Sequence, residues 1–208
     1  MKTKSVLLSG VLFLALASAQ AQTNPVYSVN VVGYTKLSLP AGFSMIANSL
    51  NSTNTTIGAL IPSFPNFGNL YKWTGSGFNI ATFAFGAWDK PNITLAPGEG
   101  CFVQPGVVTN IVFAGEVLQG LLTNAIPAGF SIQSSKVPQA GGVDALGLTP
   151  SNFDNLYKFN GVGYDIYTYV FGTWQRGATP AVPQVGVGES FFYNAGAPIT
   201  WVRNFTVN

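Results

Sequence analysis

Glu99 and Glu189 are the residues whose type and spacing come nearest to catalytic chemistry. Each follows a glycine at the head of a strand-like run. Two carboxylates are the minimum machinery of glycoside hydrolysis, one acting as acid and the other as base or nucleophile. Their spacing argues against that use. Gly98-Glu99 and Gly188-Glu189 occupy matching places in two copies of one sequence unit. Equivalent residues of duplicated units normally lie far apart, whereas the catalytic pair must sit within ~5–10 Å. Hydrogen bonding of the preceding turn is the simpler role for both. Asp89 and Asp165 give no support, because they align with Gln175 and Asn79.

Other chemistries fail on composition. Histidine is absent, which removes Ser-His-Asp and Cys-His catalysis and the commonest transition-metal ligand. No metal site is expected from one cysteine and seven carboxylates. No P-loop or GxSxG elbow occurs, and Gly186-Val187-Gly188 lacks the third glycine of a dinucleotide fingerprint. No cofactor is expected. Cys101 aligns with Phe191, as a small buried hydrophobe would.

Two recurring sets remain. Asn69/Asn155 and Lys72/Lys158, with Asn66/Asn152 just before them, stand where a loop enters a strand, and their expected role is to pin it. Glu99 and Glu189 join this structural set. The aromatics are the other candidates. Tyr164, Tyr167 and Tyr169 could form a platform for stacking sugar rings or a partner surface. The competing expectation is that Tyr167 and Tyr169 are buried between the two copies. Trp73, Trp88, Trp174 and Trp201 are expected in the core, since an aromatic or aliphatic residue recurs at each of their places.

What must position these groups is a duplicated all-β unit. Pro40-Ala41-Gly42-Phe43-Ser44 returns as Pro127-Ala128-Gly129-Phe130-Ser131, and Asn69-Leu70-Tyr71-Lys72 returns as Asn155-Leu156-Tyr157-Lys158. Phe85-Gly86-Ala87-Trp88 returns as Phe171-Gly172-Thr173-Trp174. Strands are expected over 29–39, 41–48, 70–74, 78–85, 100–104 and 109–117, with Asn160-Gly161 marking the hairpin in the second copy. Only 57–61 and 143–148 suggest a helical turn. Short strands separated by Gly and Pro favour a sandwich or barrel. The expected fold is therefore all-β, with two tandem homologous β-sandwich or barrel-like lobes, residues 29–116 and 117–208, packed together without a flexible linker.

The N-terminus reads as a cleaved signal peptide, residues 1–21, followed by a tail over 22–28. Lys2 and Lys4 precede an apolar run from Val6 to Leu16 and an Ala19-Gln20-Ala21 cleavage site. That run is too short for the ~20 residues that span a bilayer, and no transmembrane segment is expected. Nine Lys and Arg less those two lysines leave seven against seven Asp and Glu. The mature chain is thus neutral, with no basic patch for nucleic acid. Charged residues make up only 8% of the chain, so repulsion between copies is weak and few lysines guard strand edges.

These motifs resemble a group of uncharacterised secreted proteins of Planctomycetes–Verrucomicrobia-type bacteria. The residues that carry the resemblance are Val32-Gly33-Tyr34, both Pro-Ala-Gly-Phe-Ser segments and both Asn-Leu-Tyr-Lys segments. Pro97-Gly98-Glu99-Gly100 and Trp201-Val202-Arg203-Asn204-Phe205 belong to it too. The resemblance implies export and a duplicated β unit, and brings no catalytic residue with it. The expected function is a non-enzymatic exported structural or interaction protein of the cell envelope or extracellular matrix. Its expected partners are further copies of itself or envelope components. A polysaccharide-binding module is the alternative, and a two-carboxylate hydrolase the remote one.

Overall fold

The computed structural model describes residues 31–207, so the signal peptide and the tail over 22–28 lie outside the described residues. The chain is all-β, and none of its sheets closes into a barrel. The first half contains β1 (Val32–Leu39), β2 (Ser44–Ala47), helix α1 (Ile57–Leu60), β3 (Gly68–Trp73), β4 (Phe78–Ala84), β5 (Ala87–Trp88), β6 (Gly100–Gln104) and β7 (Thr109–Glu116). The second half contains β8 (Gly120–Ile126), β9 (Gly129–Gln133), β10 (Gly141–Gly142), β11 (Asn155–Phe159), β12 (Tyr164–Val170) and β13 (Thr173–Arg176). It ends with β14 (Thr179–Pro180), β15 (Gln184–Val185), β16 (Phe191–Ala195) and β17 (Ile199–Phe205).

The strand orders correspond. A five-stranded antiparallel sheet runs β2-β6-β3-β4-β5, and a six-stranded one runs β9-β16-β11-β12-β13-β14. Each half adds a two-stranded ribbon, β1·β7 or β8·β17. The helical expectation over 57–61 is met by α1. That over 143–148 is not: Leu146, Gly147 and Leu148 amides close separate turns onto Gly142, Asp144 and Val143 carbonyls.

Alternation in the strands gives each sheet one covered face. Leu70, Ala81, Phe83, Cys101 and Val103 of the first sheet pack against Ile111 and Phe113 of the ribbon and Ile57 and Leu60 of α1. Leu156, Trp174, Phe191 and Tyr193 of the second sheet pack against Ile126 and Trp201 of its ribbon and the Val143–Leu148 turns. Burying such side chains stabilises the fold by roughly 1.5–3 kcal/mol each. Indole N–H groups reach acceptors inside these cores: Trp88 donates to the Ile61 carbonyl, Trp174 to Asp144 and Trp201 to the Leu146 carbonyl, each at 2.8 Å.

The two sheets meet along a third cluster of Met45, Phe102 and Ile132. Main-chain bonds tie them reciprocally. The Ala47 amide donates to the Gly188 carbonyl at 2.8 Å, and the Ser134 amide donates to the Gly98 carbonyl at 3.0 Å. Residues 47 and 134, and 98 and 188, are sequence equivalents.

The hairpins after β4 and β12 carry an unusual turn. Phe85-Gly86 has φ of 54° and 85°, and Phe171-Gly172 has 47° and 89°. Two positive φ values define the type I′ turn, which prefers Asn at its first position. Left-handed backbone costs a side chain with a Cβ about 1–2 kcal/mol. Phe85 is 93% exposed and Phe171 81%, so burial offsets little of that cost. Phe85→Asn is therefore expected to raise stability by about 0.5–1 kcal/mol. A urea midpoint that falls in this variant would show that the ring stabilises the free protein.

Candidate functional site

The face of each sheet turned away from its ribbon is aromatic, and it is partly covered where the two sheets meet. Five rings from each half share it, and they are sequence equivalents: Phe43 and Phe130, Tyr71 and Tyr157, Trp73 and Phe159, Phe78 and Tyr164, Phe102 and Phe192. Period-two alternation puts them there. Tyr71 and Trp73 project from β3 on the side opposite Leu70, and Phe78 leaves β4 opposite the buried Ala81 and Phe83.

Ring geometry repeats between the halves. Phe43 and Tyr71 lie 5.4 Å apart at 49°, and Phe130 and Tyr157 lie 5.4 Å apart at 46°. Tyr71 meets Phe78 at 6.2 Å and 88°, and Tyr157 meets Tyr164 at 6.3 Å and 88°. Across the junction, Phe102 contacts Phe159 and Trp73 contacts Phe192, both at 5.5 Å and nearly perpendicular. Such edge-to-face pairs add about 0.5–1.5 kcal/mol beyond area burial. The result is one saddle spanning both halves. Phe43, Phe78, Phe130 and Tyr164 stay about two-fifths exposed. A groove of about 310 Å³ opens among Phe43, Tyr71, Phe78, Phe102, Phe159 and Tyr164. Partial burial raises the Tyr164 phenol above its ordinary pKa.

The proposed tyrosine platform does not form as one face. Tyr164 lies on the saddle, but Tyr167 is only 9% exposed within the second core, and Tyr169 packs against that core beside Trp174 at 5.3 Å. Neither is buried between the halves. Period-two alternation separates odd from even positions of β12, so Tyr164 cannot share a face with the other two. Trp73 is also corrected. It is half-exposed on the saddle, and its indole N–H donates to the Phe130 carbonyl at 2.9 Å. Repetition of aromatics had pointed to a core. They lie instead on the face that each sheet turns away from its ribbon.

The structural set is held as two matching networks. Lys72 pairs with Glu99 at 2.9 Å, and Lys158 with Glu189 at 3.2 Å. Each glutamate also accepts an amide three residues back, Ala96 at 2.9 Å or Gly186 at 2.7 Å, closing the turn before its strand. Asn69 and Asn155 donate to the Phe67 and Phe153 carbonyls and accept from Thr82 and Thr168, both at 2.7 Å. Asn152 accepts the Phe171 amide at 2.9 Å. Cys101 is fully buried, and loss of hydration pushes its thiol up to about 12, so no thiolate forms at neutral pH. Among the described residues, no three His, Cys, Asp or Glu side chains cluster as a metal site would require.

Sequence reasoning missed one further feature. Phe67 and Phe153 also have positive φ, 63° and 70°, and they meet Phe85 and Phe171 edge to face at 6.3 and 6.1 Å. All four rings are exposed. Bulky residues seldom adopt this backbone, and only the recurrence of both Asn-Phe and Phe-Gly hinted at it. Comparison with protein-family models, curated proteins and solved structures returns no match.

Proposed function

We infer that this is a non-enzymatic exported protein of the cell envelope or extracellular matrix that works by association. In this reading the chain is two tandem copies of one β unit, each a small sandwich of sheet and ribbon, related by an approximate two-fold axis. Reciprocal bonding of Ala47 to Gly188 and Ser134 to Gly98 supports the axis. Isologous contact, in which i touches j and the equivalent of j touches the equivalent of i, is what such an axis generates.

The observation that carries the functional reading is the half-exposed saddle. An open aromatic face of this extent is the kind of patch that marks an association surface. Its residues are mostly phenylalanines, which stack without offering hydrogen bonds, so it suits an apolar protein surface better than a polar one. A second copy of this chain is the occupant that fits. The same patch on two molecules can pair isologously into a closed dimer, and a neutral mature chain offers little repulsion to a second copy.

Sedimentation velocity of residues 22–208 is expected to show concentration-dependent association. Phe78→Ser with Tyr164→Ser, one change in each copy, is expected to shift the protein to monomer while leaving both cores intact. A parent protein that stays strictly monomeric at high concentration overturns self-association through this face.

A further inference from the structure

Where the halves meet, two clefts occupy equivalent positions, and they differ in the side chains at two of them. Lys72, Trp73, Glu99, Asn124, Ser131 and Gln133 line the first, of about 320 Å³. Lys36, Leu37, Ser38, Ser44, Ile46 and Glu189 line the second, of about 260 Å³. Packing is alike in both. A Cβ at Gly98 would come within 2.8 Å of the Asn124 amide nitrogen, and one at Gly188 within 2.7 Å of Leu37 Cδ2. A leucine therefore meets the packing need at this position. The same holds for Gln133, 6% exposed, where the other cleft has Ile46, 2% exposed. Trp73 stands where the second half has Phe159.

Burying an amide where an aliphatic side chain packs as well is unfavourable unless its hydrogen bonds are made. Those of the buried Gln133 are made within the protein, and the groups left over on Asn124 and Glu99 face the open cleft. Asn124 Nδ2 donates to Gln133 Oε1 and to the Gly98 carbonyl, both at 3.0 Å, and more weakly to the Ser134 carbonyl at 3.5 Å. Gln133 Nε2 donates to Ser131 Oγ at 3.0 Å. Among the described residues, Asn124 Oδ1 receives no protein donor. Glu99 accepts from Lys72 and from the Ala96 amide on the same oxygen, Oε2, leaving Oε1 without one. The Ser131 hydroxyl accepts from Gln133 and retains its own proton.

We propose that this cleft is a binding site for a neutral saccharide residue. Two solvent-facing acceptors and a hydroxyl match a ligand rich in hydroxyl groups. Lys72 compensates Glu99, so the site carries no net charge to attract an ion. The Trp73 ring, anchored through its N–H to the Phe130 carbonyl, supplies an apolar wall for the C–H face of a sugar. A few placed polar groups beside an aromatic wall, at the lower end of the ~300–1,000 Å³ range, is the usual composition of a small-ligand site. A purely apolar ligand would leave Asn124 Oδ1 and Glu99 Oε1 unpaired. The cleft borders the saddle and shares Trp73 and Phe130 with it, but its polar groups lie off the saddle, and the proposal does not rest on association through that face.

The probes are soluble neutral oligosaccharides of the gluco, manno, xylo and N-acetylglucosamine series, titrated against the full mature chain by calorimetry and tryptophan fluorescence. Trp88, Trp174 and Trp201 are buried, so a fluorescence change reports Trp73. One series is expected to saturate. Asn124→Leu with Gln133→Ile installs the residues of the equivalent cleft and is expected to weaken that binding at least ~10-fold. Trp73→Phe, which copies Phe159, is expected to weaken it too and serves alone if the double variant does not fold. Tyr164→Ser, a saddle change beside Tyr157, Phe159 and Phe192 rather than Trp73, is expected to bind as the parent does, which separates this site from the saddle. The proposal is overturned if no series binds. It is equally overturned if a folded Asn124→Leu/Gln133→Ile protein, or Trp73→Phe, binds as tightly as the parent.

Discussion

Alanine at Gly100 is expected to cost about 3 kcal/mol of stability, near the upper end of ordinary overpacking. A Cβ there would fall 2.3 Å from Ser190 Cβ and 2.5 Å from Ile132 Cγ2. Ile132 could turn aside, but Ser190 has no length to yield: its Cβ is fixed by the backbone at the head of β16. Its hydroxyl is also tied to the Ile46 carbonyl at 3.0 Å. The two sheets would have to part, loosening the Met45, Phe102 and Ile132 cluster between them. Positions 100 and 190 are sequence equivalents, so the junction admits one small side chain and one hydrogen there. Ser190→Gly should cost only its hydrogen bond, about 1 kcal/mol. Gly100→Ala with Ser190→Gly should recover most of the loss, a coupling that urea denaturation of the four proteins would measure. A Gly100→Ala protein within about 0.5 kcal/mol of the parent would mean the sheets do not meet at this point.

Much of the framework could be read before any coordinates. Residues 100–104 form β6 at the expected bounds, and Thr109–Glu116, Phe78–Ala84 and Gly68–Trp73 differ from expectation by a residue or two. The turn at Asn160-Gly161 joins β11 to β12, with the Asn160 amide donating to the Gly163 carbonyl. These features are local, set by alternation and by glycine placement. Which face of β3, β4 and β6 lies open is not local. Tyr71 and Leu70 are both apolar enough for a core, and only the position of the ribbon decides that Leu70 is covered and Tyr71 is not. Trp73 was misplaced for that reason.

The polar cleft was hidden in the same way. Asn124 and Gln133 stand one on each of β8 and β9, and nothing within either strand relates them to Glu99. The repeat alignment did hold a signal. Asn124 aligned with Leu37 and Gln133 with Ile46 is a double exchange of polar for apolar at positions that the first half fills with a partly buried leucine and a buried isoleucine. Differences between the aligned segments marked the cleft, while likenesses marked the scaffold. Glu99 and Glu189, the most tempting residues by type, belong to the likenesses and each closes a turn.

Asp154→Ala is expected to lower stability by about 3 kcal/mol, or roughly 6–12 °C in Tm for a chain of this size. Asp154 is fully buried in the second core. Its carboxylate accepts from the Tyr193 hydroxyl, the Ser151 amide and the Gly196 amide, each at 2.8 Å. The first half fills the equivalent space differently. Gly68 stands at the matching position, and a Cβ there would meet the Phe64 ring at 2.5 Å. Pro150 replaces Phe64 in the second half, and Tyr193 replaces Val103. The first half packs a ring there, and the second a hydrogen-bonded carboxylate and phenol. Water can reach the exposed Ser151 and Gly196 amides after truncation, but the buried Tyr193 hydroxyl would be stranded. Burial, and then its bond to Asp154, hold that phenol protonated far beyond neutral pH, so at neutrality its proton has to be donated somewhere. Asp154→Asn should also lose stability, since either orientation of the amide turns a donor toward Ser151 or Gly196. Tyr193→Phe alone should cost about 1 kcal/mol, and adding it to Asp154→Ala should cost less than its effect in the parent, because the hydroxyl has already lost its acceptor. Strict additivity of the two changes in chemical denaturation would show that the phenol and the carboxylate do not act as a pair.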